Sequence, residues 1–395
     1  MKGLWLYVSK AVSAVLALGI HAYVARQSPS DYGILPLALQ WIAFLTFIAD
    51  FGLTTVAPRE WMLAPNAKKY EDGVNSLRFG VAWVLAATVV IAGLWMQWPL
   101  GLQIAPVLVL WPFGVDWMLK TKGWFGALAL RQVFAAVLQC LLIGVIFESL
   151  GSEYGPGWLP LALSLGLGLS FVIFRPGGLS PESSVGFSLP GLKSAADSAS
   201  TDTVRRLFRR QSIPFFSFAL MHLAYGLGTF VLGFSLESHP EASLILAQHG
   251  ALFALLASGS ALVVISQEVG LSVAGIQARN TWTLWASFAF VGLMALAPLI
   301  LPLWLGKDFT VSTPLWAGFV AVSVLFCVRY LWIHQSYFDT HYRVVVWANG
   351  FGLLAQAALW TWAFLPSTGL WLNYYPVVFL CLGEIVALAV YWWRK

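Results

Sequence analysis

The chain has 395 residues, 59% hydrophobic and 10% charged, with a formal net charge of +5. A soluble domain carries about 25% charged residues, so this composition excludes a water-soluble globular core and points to an integral membrane protein. The basic excess lies in short connections between apolar segments and does not mark nucleic-acid binding.

A membrane-crossing helix needs about 20 mostly apolar residues. Twelve segments meet that need: 4–24, 34–57, 78–98, 102–119, 124–147, 157–174, 213–235, 243–265, 282–304, 313–333, 344–364 and 372–393. The first has features of a signal peptide (Lys2, then an apolar run ending Ala22-Tyr23-Val24-Ala25), but Lys10 interrupts the run, and it reads as an uncleaved span. Backbone groups in lipid must be satisfied internally, and no alternating ten-residue pattern suggests a barrel, so the spans are predicted to be helices. Pro36, Pro106, Pro112, Pro298 and Pro302 fall within them as sites for kinks. Cys140, Cys327 and Cys381 also lie inside spans, where small buried residues are expected rather than a disulfide framework.

One polar interruption divides the chain. Residues 175–212 are rich in Ser, Gly and Pro and end with Arg205, Arg206, Arg209 and Arg210. The predicted organisation is therefore a six-helix bundle over 1–174, a cytoplasmic linker over 175–212 and a second six-helix bundle over 213–395. With the N-terminus in the cytoplasm, 16 of the 22 Lys and Arg residues fall on the cytoplasmic side and only Arg26 and Lys307 on the other. The positive-inside rule then places both termini in the cytoplasm. Six spans per half means that the halves can be related only by an axis along the membrane normal, as in parallel-repeat transporters.

The external connections are no longer than nine residues, at 25–33 and 148–156, which leaves no room for an extracytoplasmic catalytic domain. There is no Walker A sequence, nucleophile elbow, HExxH or Cys/His metal spacing, so neither enzyme activity, a cofactor nor a metal site is expected.

Ionisable residues inside spans cost roughly 2.5–3.5 kcal/mol each at a helix centre and so mark places of interest. They are Lys10, Asp50, Arg78, Asp116, Arg131, Arg329 and Glu384, with His21, His222 and His249. Arg78, at the start of its predicted span, is expected to snorkel to the surface. Lys10 and His21, almost three helical turns apart, share a polar stripe suited either to a cavity or to a packing contact, in which Lys10 pairs with Asp50. Lys10, Arg131 and Arg329 lie in the cytoplasmic half of the bilayer, where they suit an anion entering from that side. Asp50, Asp116 and Glu384 are candidates for gating or ion pairing, and His21, His222 and His249 for proton coupling. Structural pairing remains the alternative for each. Asn349 with Gln356, and Asn373 with Glu384, each share a helix face.

Three segments carry a family resemblance: Arg26 through Asp31-Tyr32-Gly33, Asp50-Phe51-Gly52-Leu53 with Arg59, and Asp116-Trp117 with Gly123. In this order they resemble the O-antigen type flippases of the multidrug/oligosaccharidyl-lipid/polysaccharide exporter superfamily. Gln27-Ser28 and Ser266-Gln267-Glu268 depart from the family pattern. The resemblance implies two six-helix halves forming a V around a cationic cavity, in the inner membrane of a bacterium. It implies that a polyprenyl-diphosphate-linked oligosaccharide is moved between leaflets, with Lys10, Arg131 and Arg329 attracting the pyrophosphate. Membrane lipid, a polysaccharide polymerase and glycosyltransferases are the partners it implies. A cation-coupled multidrug or small-molecule exporter of the same superfamily is the alternative, although such exporters usually place a carboxylate in the first helix, where this chain has Lys10.

The topology reading has a direct check. A reporter active only outside the cytoplasm should be active when fused after Gly151 or Ser238 and silent at Ser198; activity at Ser198 would reverse the orientation.

Overall fold

Every predicted span falls on a helix, or on a helix broken at proline or glycine. The computed structural model describes residues 2–53, 57, 61, 66–114, 116–122, 124–173, 201–236, 242–273, 275–307, 309–338, 342–364 and 375–394. Among them there is no strand. Fourteen α-helices are assigned: α1 (Lys2–Gln27), α2 (Ile34–Asp50), α3 (Ala67–Trp95), α4 (Pro99–Leu110), α5 (Asp116–Thr121), α6 (Phe125–Tyr154), α7 (Leu159–Ile173), α8 (Thr201–Ser235), α9 (Ala242–Val273), α10 (Gly275–Ala295), α11 (Ala297–Leu305), α12 (Thr313–Phe338), α13 (Tyr342–Phe364) and α14 (Tyr375–Arg394). The expectations for Arg59, Gly123, Asn373 and residues 175–200 lie outside the described residues.

By length and composition, eight of the described helical runs can cross a membrane, or nine if a bent pair is one span. One of those runs, Gly126–Ile173, is 48 residues long and holds two predicted spans. They meet at Gly151, whose φ of 74 breaks the helix, and at the 3-10 turn Gly155–Trp158. The bent pair is α10 with α11, which turn by 66°. Pro298, at the start of α11, lacks the N–H that would continue α10, so the predicted span 282–304 is broken.

Two helix ends differ from the sequence reading for local reasons. The predicted span 34–57 stops at Asp50, because Phe51 (φ 52) and Gly52 (φ 69) turn left-handed. Glycine adopts this conformation freely, whereas phenylalanine is strained by it. Stacking offsets that strain: the Phe51 ring lies 4.4 Å from Phe215 and 4.9 Å from Phe208. The third span begins eleven residues earlier than predicted, at Ala67 rather than 78. Asn66 caps it, its side chain accepting from the Lys69 N–H at 2.9 Å.

The polar interruption is also shorter than read. Residues 201–212, read as the end of the linker, are helical and form the start of α8. Val204, Leu207 and Phe208 recur at helical spacing among the arginines, and Leu207 is buried with Leu53, Val74, Leu77 and Trp117.

The chain groups into two compact units. Met1–Ala17 and Trp41–Ala219 form one; Leu18–Gln40 and Leu220–Lys395 form the other. Thus α1, α2 and α8 each contribute residues to both. In the first unit α7 packs against α4 and α6, and α3 packs against α4. In the second, α9 packs on α10 and α12, while α14 packs on α12 and α13.

Small residues let these helices approach closely, as expected without a hydrophobic driving force in lipid. A Cβ on Gly250 of α9 would sit 2.2 Å from Pro36 Cγ of α2. Gly250→Val should therefore lower stability by about 1–3 kcal/mol through overpacking, seen as a lower melting temperature in detergent. Gly19→Ala, where a Cβ meets nothing within 4 Å, should melt like the parent.

Candidate functional site

In the first unit, two arginines each meet a carboxylate. Arg78 is 1% exposed. Its Nε lies 3.2 Å from Asp50 Oδ1, it donates to the Gly114 carbonyl, and its guanidinium lies 5.9 Å from the Trp111 ring centre. The expectation that Arg78 snorkels is thus overturned. The earlier start of α3 puts it about three turns inside the helix, where it is packed against Trp111 and Gly114. Asp50, weighed from sequence as a partner for Lys10, has Arg78 beside it. Lys10 itself is half-buried on α1.

Arg131 of α6 pairs with Asp116 at the start of α5. Its Nη1 donates to Ser170 Oγ at 3.3 Å, and the guanidinium covers the Phe171 ring at 4.8 Å, both on α7. Gly114 and the 3-10 turn Trp111–Phe113 end α4 just before Asp116, which sets the carboxylate facing α6. Asp116 Oδ1 is buried and has no hydrogen-bond partner among the described residues.

In the second unit, α12, α13 and α14 bring together Arg329, Asn349 and Glu384. The guanidinium donates to Glu384 Oε1 and to Asn349 Oδ1, and lies 5.7 Å from the Tyr225 ring of α8. All three residues are at most 5% exposed. Glu384 Oε2 and Gln356 Nε2 are buried without a hydrogen bond among the described residues. Gly383 makes room for Gln356, since a Cβ there would come within 2.4 Å of its amide.

His21 and His249 are packed groups. His21 Nδ1 is hydrogen-bonded to Tyr32 Oη at 2.6 Å, and its ring lies 5.9 Å from Trp304. His249 lies 3.4 Å from Thr229 Oγ1, with Phe319 edge-on at 5.1 Å. His222 is half-buried on α8. His21 groups with the second unit and Lys10 with the first. Among the described residues, no three His, Cys, Asp or Glu side chains are placed to hold a metal.

Sequence reasoning selected Asp50, Asp116, Arg131, Arg329 and Glu384, and the structure joins them as charged pairs. It missed Arg78 as a pairing residue; the Asn66 cap signal, which starts α3 early, could have found it. It also missed Arg26, which donates to the carbonyls of Trp304 at 3.0 Å and Leu303 at 3.3 Å, across the end of α11.

Neither a protein-family model nor a curated protein sequence matches the chain. Solved structures do, over the whole length. A multidrug resistance MATE family transporter of the MOP superfamily, in its inward-facing conformation, is similar at a TM-score of 0.63 and 14% identity, covering 100% of this chain and 97% of that one. A MATE in complex with MaL6 gives 0.60 at 15% identity, over 99% and 94%. A MOP superfamily transporter from Pyrococcus furiosus, in which reversed polarity of the binding pocket suggests a different function, gives 0.57 at 14% identity, over 99% and 93%. The chain therefore has the all-helical membrane fold of these transporters.

The buried pairs make a stability prediction. Arg329→Leu alone leaves the Glu384 carboxylate buried and uncompensated, which typically costs about 3–5 kcal/mol. Arg329→Leu with Glu384→Leu should recover most of the loss, read as yield of folded protein and melting temperature in detergent. A double variant as unstable as the single one would contradict the pairing.

Proposed function

We propose that the protein is a cation-coupled exporter of small molecules in the cytoplasmic membrane of a bacterium. The observation that carries this reading is the charge state of the deep arginines. Arg78, Arg131 and Arg329 are each held by a carboxylate, so none offers an uncompensated cation to a pyrophosphate. Asp116 and Glu384 each keep one buried oxygen without a hydrogen bond among the described residues. Such an oxygen can take a proton or an alkali cation, and a membrane-embedded carboxylate that changes its charge is the usual means of coupling to an ion gradient. The likeness to multidrug MATE transporters along the whole chain supports the same class. Under this reading the two predicted six-helix halves, 1–174 and 213–395, alternate access to the two sides.

The second reading is the lipid-linked oligosaccharide flippase, with its polymerase and glycosyltransferase partners. Lys10 on α1 favours it, because a cation stands there where exporters of the superfamily usually have a carboxylate.

Cells lacking their own exporters separate the two. Expression of this chain should lower the accumulation of a cationic dye such as ethidium and raise drug tolerance. Glu384→Gln leaves Arg329 without its carboxylate and should lower the yield; compared at equal levels of folded protein, it should abolish both. Rescue of surface polysaccharide in a flippase-deficient strain, without any change in dye accumulation, would favour the second reading.

A further inference from the structure

The sequence leaves two basic residues, Arg26 and Lys307, in the connections on one side of the membrane against sixteen on the other. Basic residues on the depleted side oppose the usual charge bias, and these two are far apart in sequence. The structure places Arg26 in the wall of a cavity, and Lys307 next in the chain to Gly306 of the same wall. The cavity, of about 330 Å³ in the second unit, is lined by Arg26 and Pro29 after α1, Leu244 and Ala247 of α9, and Leu305 with Phe309 around the end of α11. Gly306 also lines it, with Thr310, and the exposed Lys307 follows Gly306 in the chain.

Hydrogen bonds tie the segments that line the cavity to one another. Arg26 Nη2 donates to the last carbonyls of α11, which ties α1 to α11. Trp304 Nε1 donates to the Leu18 carbonyl at 2.6 Å and makes a second tie. Gly306 ends α11 at φ 131, a conformation that favours glycine. The Phe309 ring is fixed edge-on to Tyr32 at 6.0 Å. Among the described residues, Arg26 is bonded to these carbonyls through Nη2, not through Nη1 or Nε. No acidic side chain is among the lining residues, and the Asp31 carboxylate accepts instead from the Ser28 and Ser30 hydroxyls, each at 3.0 Å. Asp308, the next acid in the sequence, lies outside the described residues.

We propose that this cavity binds the phosphate of an anionic amphiphile, with the guanidinium and ammonium groups holding the phosphate and Leu244, Leu305 and Phe309 taking the adjoining apolar part. Its volume is at the lower end of about 300–1,000 Å³ found for small-molecule sites, enough for a headgroup and the first carbons of a chain. Under the predicted topology the ligand comes from the outer leaflet, and an anionic phospholipid has the required chemistry. The site is independent of what the protein exports.

The test uses the full-length purified protein in a neutral detergent and native mass spectrometry. Short-chain phosphatidylglycerol, phosphatidylcholine with the same chains, and inorganic phosphate are titrated separately. Phosphatidylglycerol should be retained at least fivefold more tightly than phosphatidylcholine. Lys307→Gln, which leaves the Arg26 ties intact, should reduce that preference at least threefold. Leu244→Trp, at a side chain 64% exposed, should fill the cavity and abolish binding without harm to folding. Inorganic phosphate bound as tightly as phosphatidylglycerol would overturn the amphiphile, because the apolar wall would then contribute nothing. Equal retention of the two lipids with no phosphate binding, or a preference unchanged in both variants, would overturn the proposal.

Discussion

A charge buried among apolar helices must be neutralised where it stands. That constraint organises both units of this protein. Moving an isolated charge from water into a low-dielectric interior costs several kcal/mol even after relaxation, and no headgroup reaches the middle of a span. Arg78, Arg131 and Arg329 answer it in the same way, each with a carboxylate and an aromatic ring beside the guanidinium. The planar guanidinium suits such sites, because its fork of donors can meet a carboxylate and a carbonyl or amide oxygen at once while its face lies on a ring. Each pair also joins separate helices: α2 with α3, α5 with α6, and α12 with α14. Registry between helices is the best-attested use of buried polar groups, and here it fixes which faces meet in a bundle otherwise held by small-residue contacts.

The overall architecture was legible because the bilayer imposes a length and an apolarity that few other structures share. Twelve segments could be found, and the ionisable residues within them stood out. What could not be read was which charges meet. Arg329 and Glu384 are 55 positions apart and Arg131 and Asp116 are 15 apart, and nothing in either local sequence names the partner. Helix ends were the other loss. Arg78 was placed at a surface because apolar content marks where a span enters lipid, not where the helix begins, and α3 starts in the polar stretch Lys68-Lys69-Tyr70-Glu71-Asp72. The turn at Phe51-Gly52 was recognised as a motif without its physical content. It is a left-handed reversal that stops α2 at Asp50 and leaves the carboxylate facing Arg78.

The pairs also change what the cations can do. Bare arginines would draw an anionic headgroup into the membrane, as the flippase resemblance implies. Arginines already held by carboxylates instead leave the acids as the groups whose charge can change. Protonation of Glu384 would weaken its hold on Arg329, and with it the link between α12 and α14. The Arg131–Asp116 pair stands beside Gly114 and the 3-10 turn, where backbone hydrogen bonding is already interrupted. A switch of charge at either place has a mechanical consequence, which is what an ion-coupled transporter needs.

Ion coupling is therefore the central claim, and transport in reconstituted vesicles tests it most directly. Purified protein in liposomes loaded with ethidium would be exposed in turn to an imposed proton gradient and an imposed sodium gradient. One of the two should speed dye movement severalfold over the ungraded rate, an ionophore for that ion should remove the gain, and Glu384→Gln should lack it. Dye movement indifferent to both gradients, with the protein folded and correctly inserted, would contradict the account.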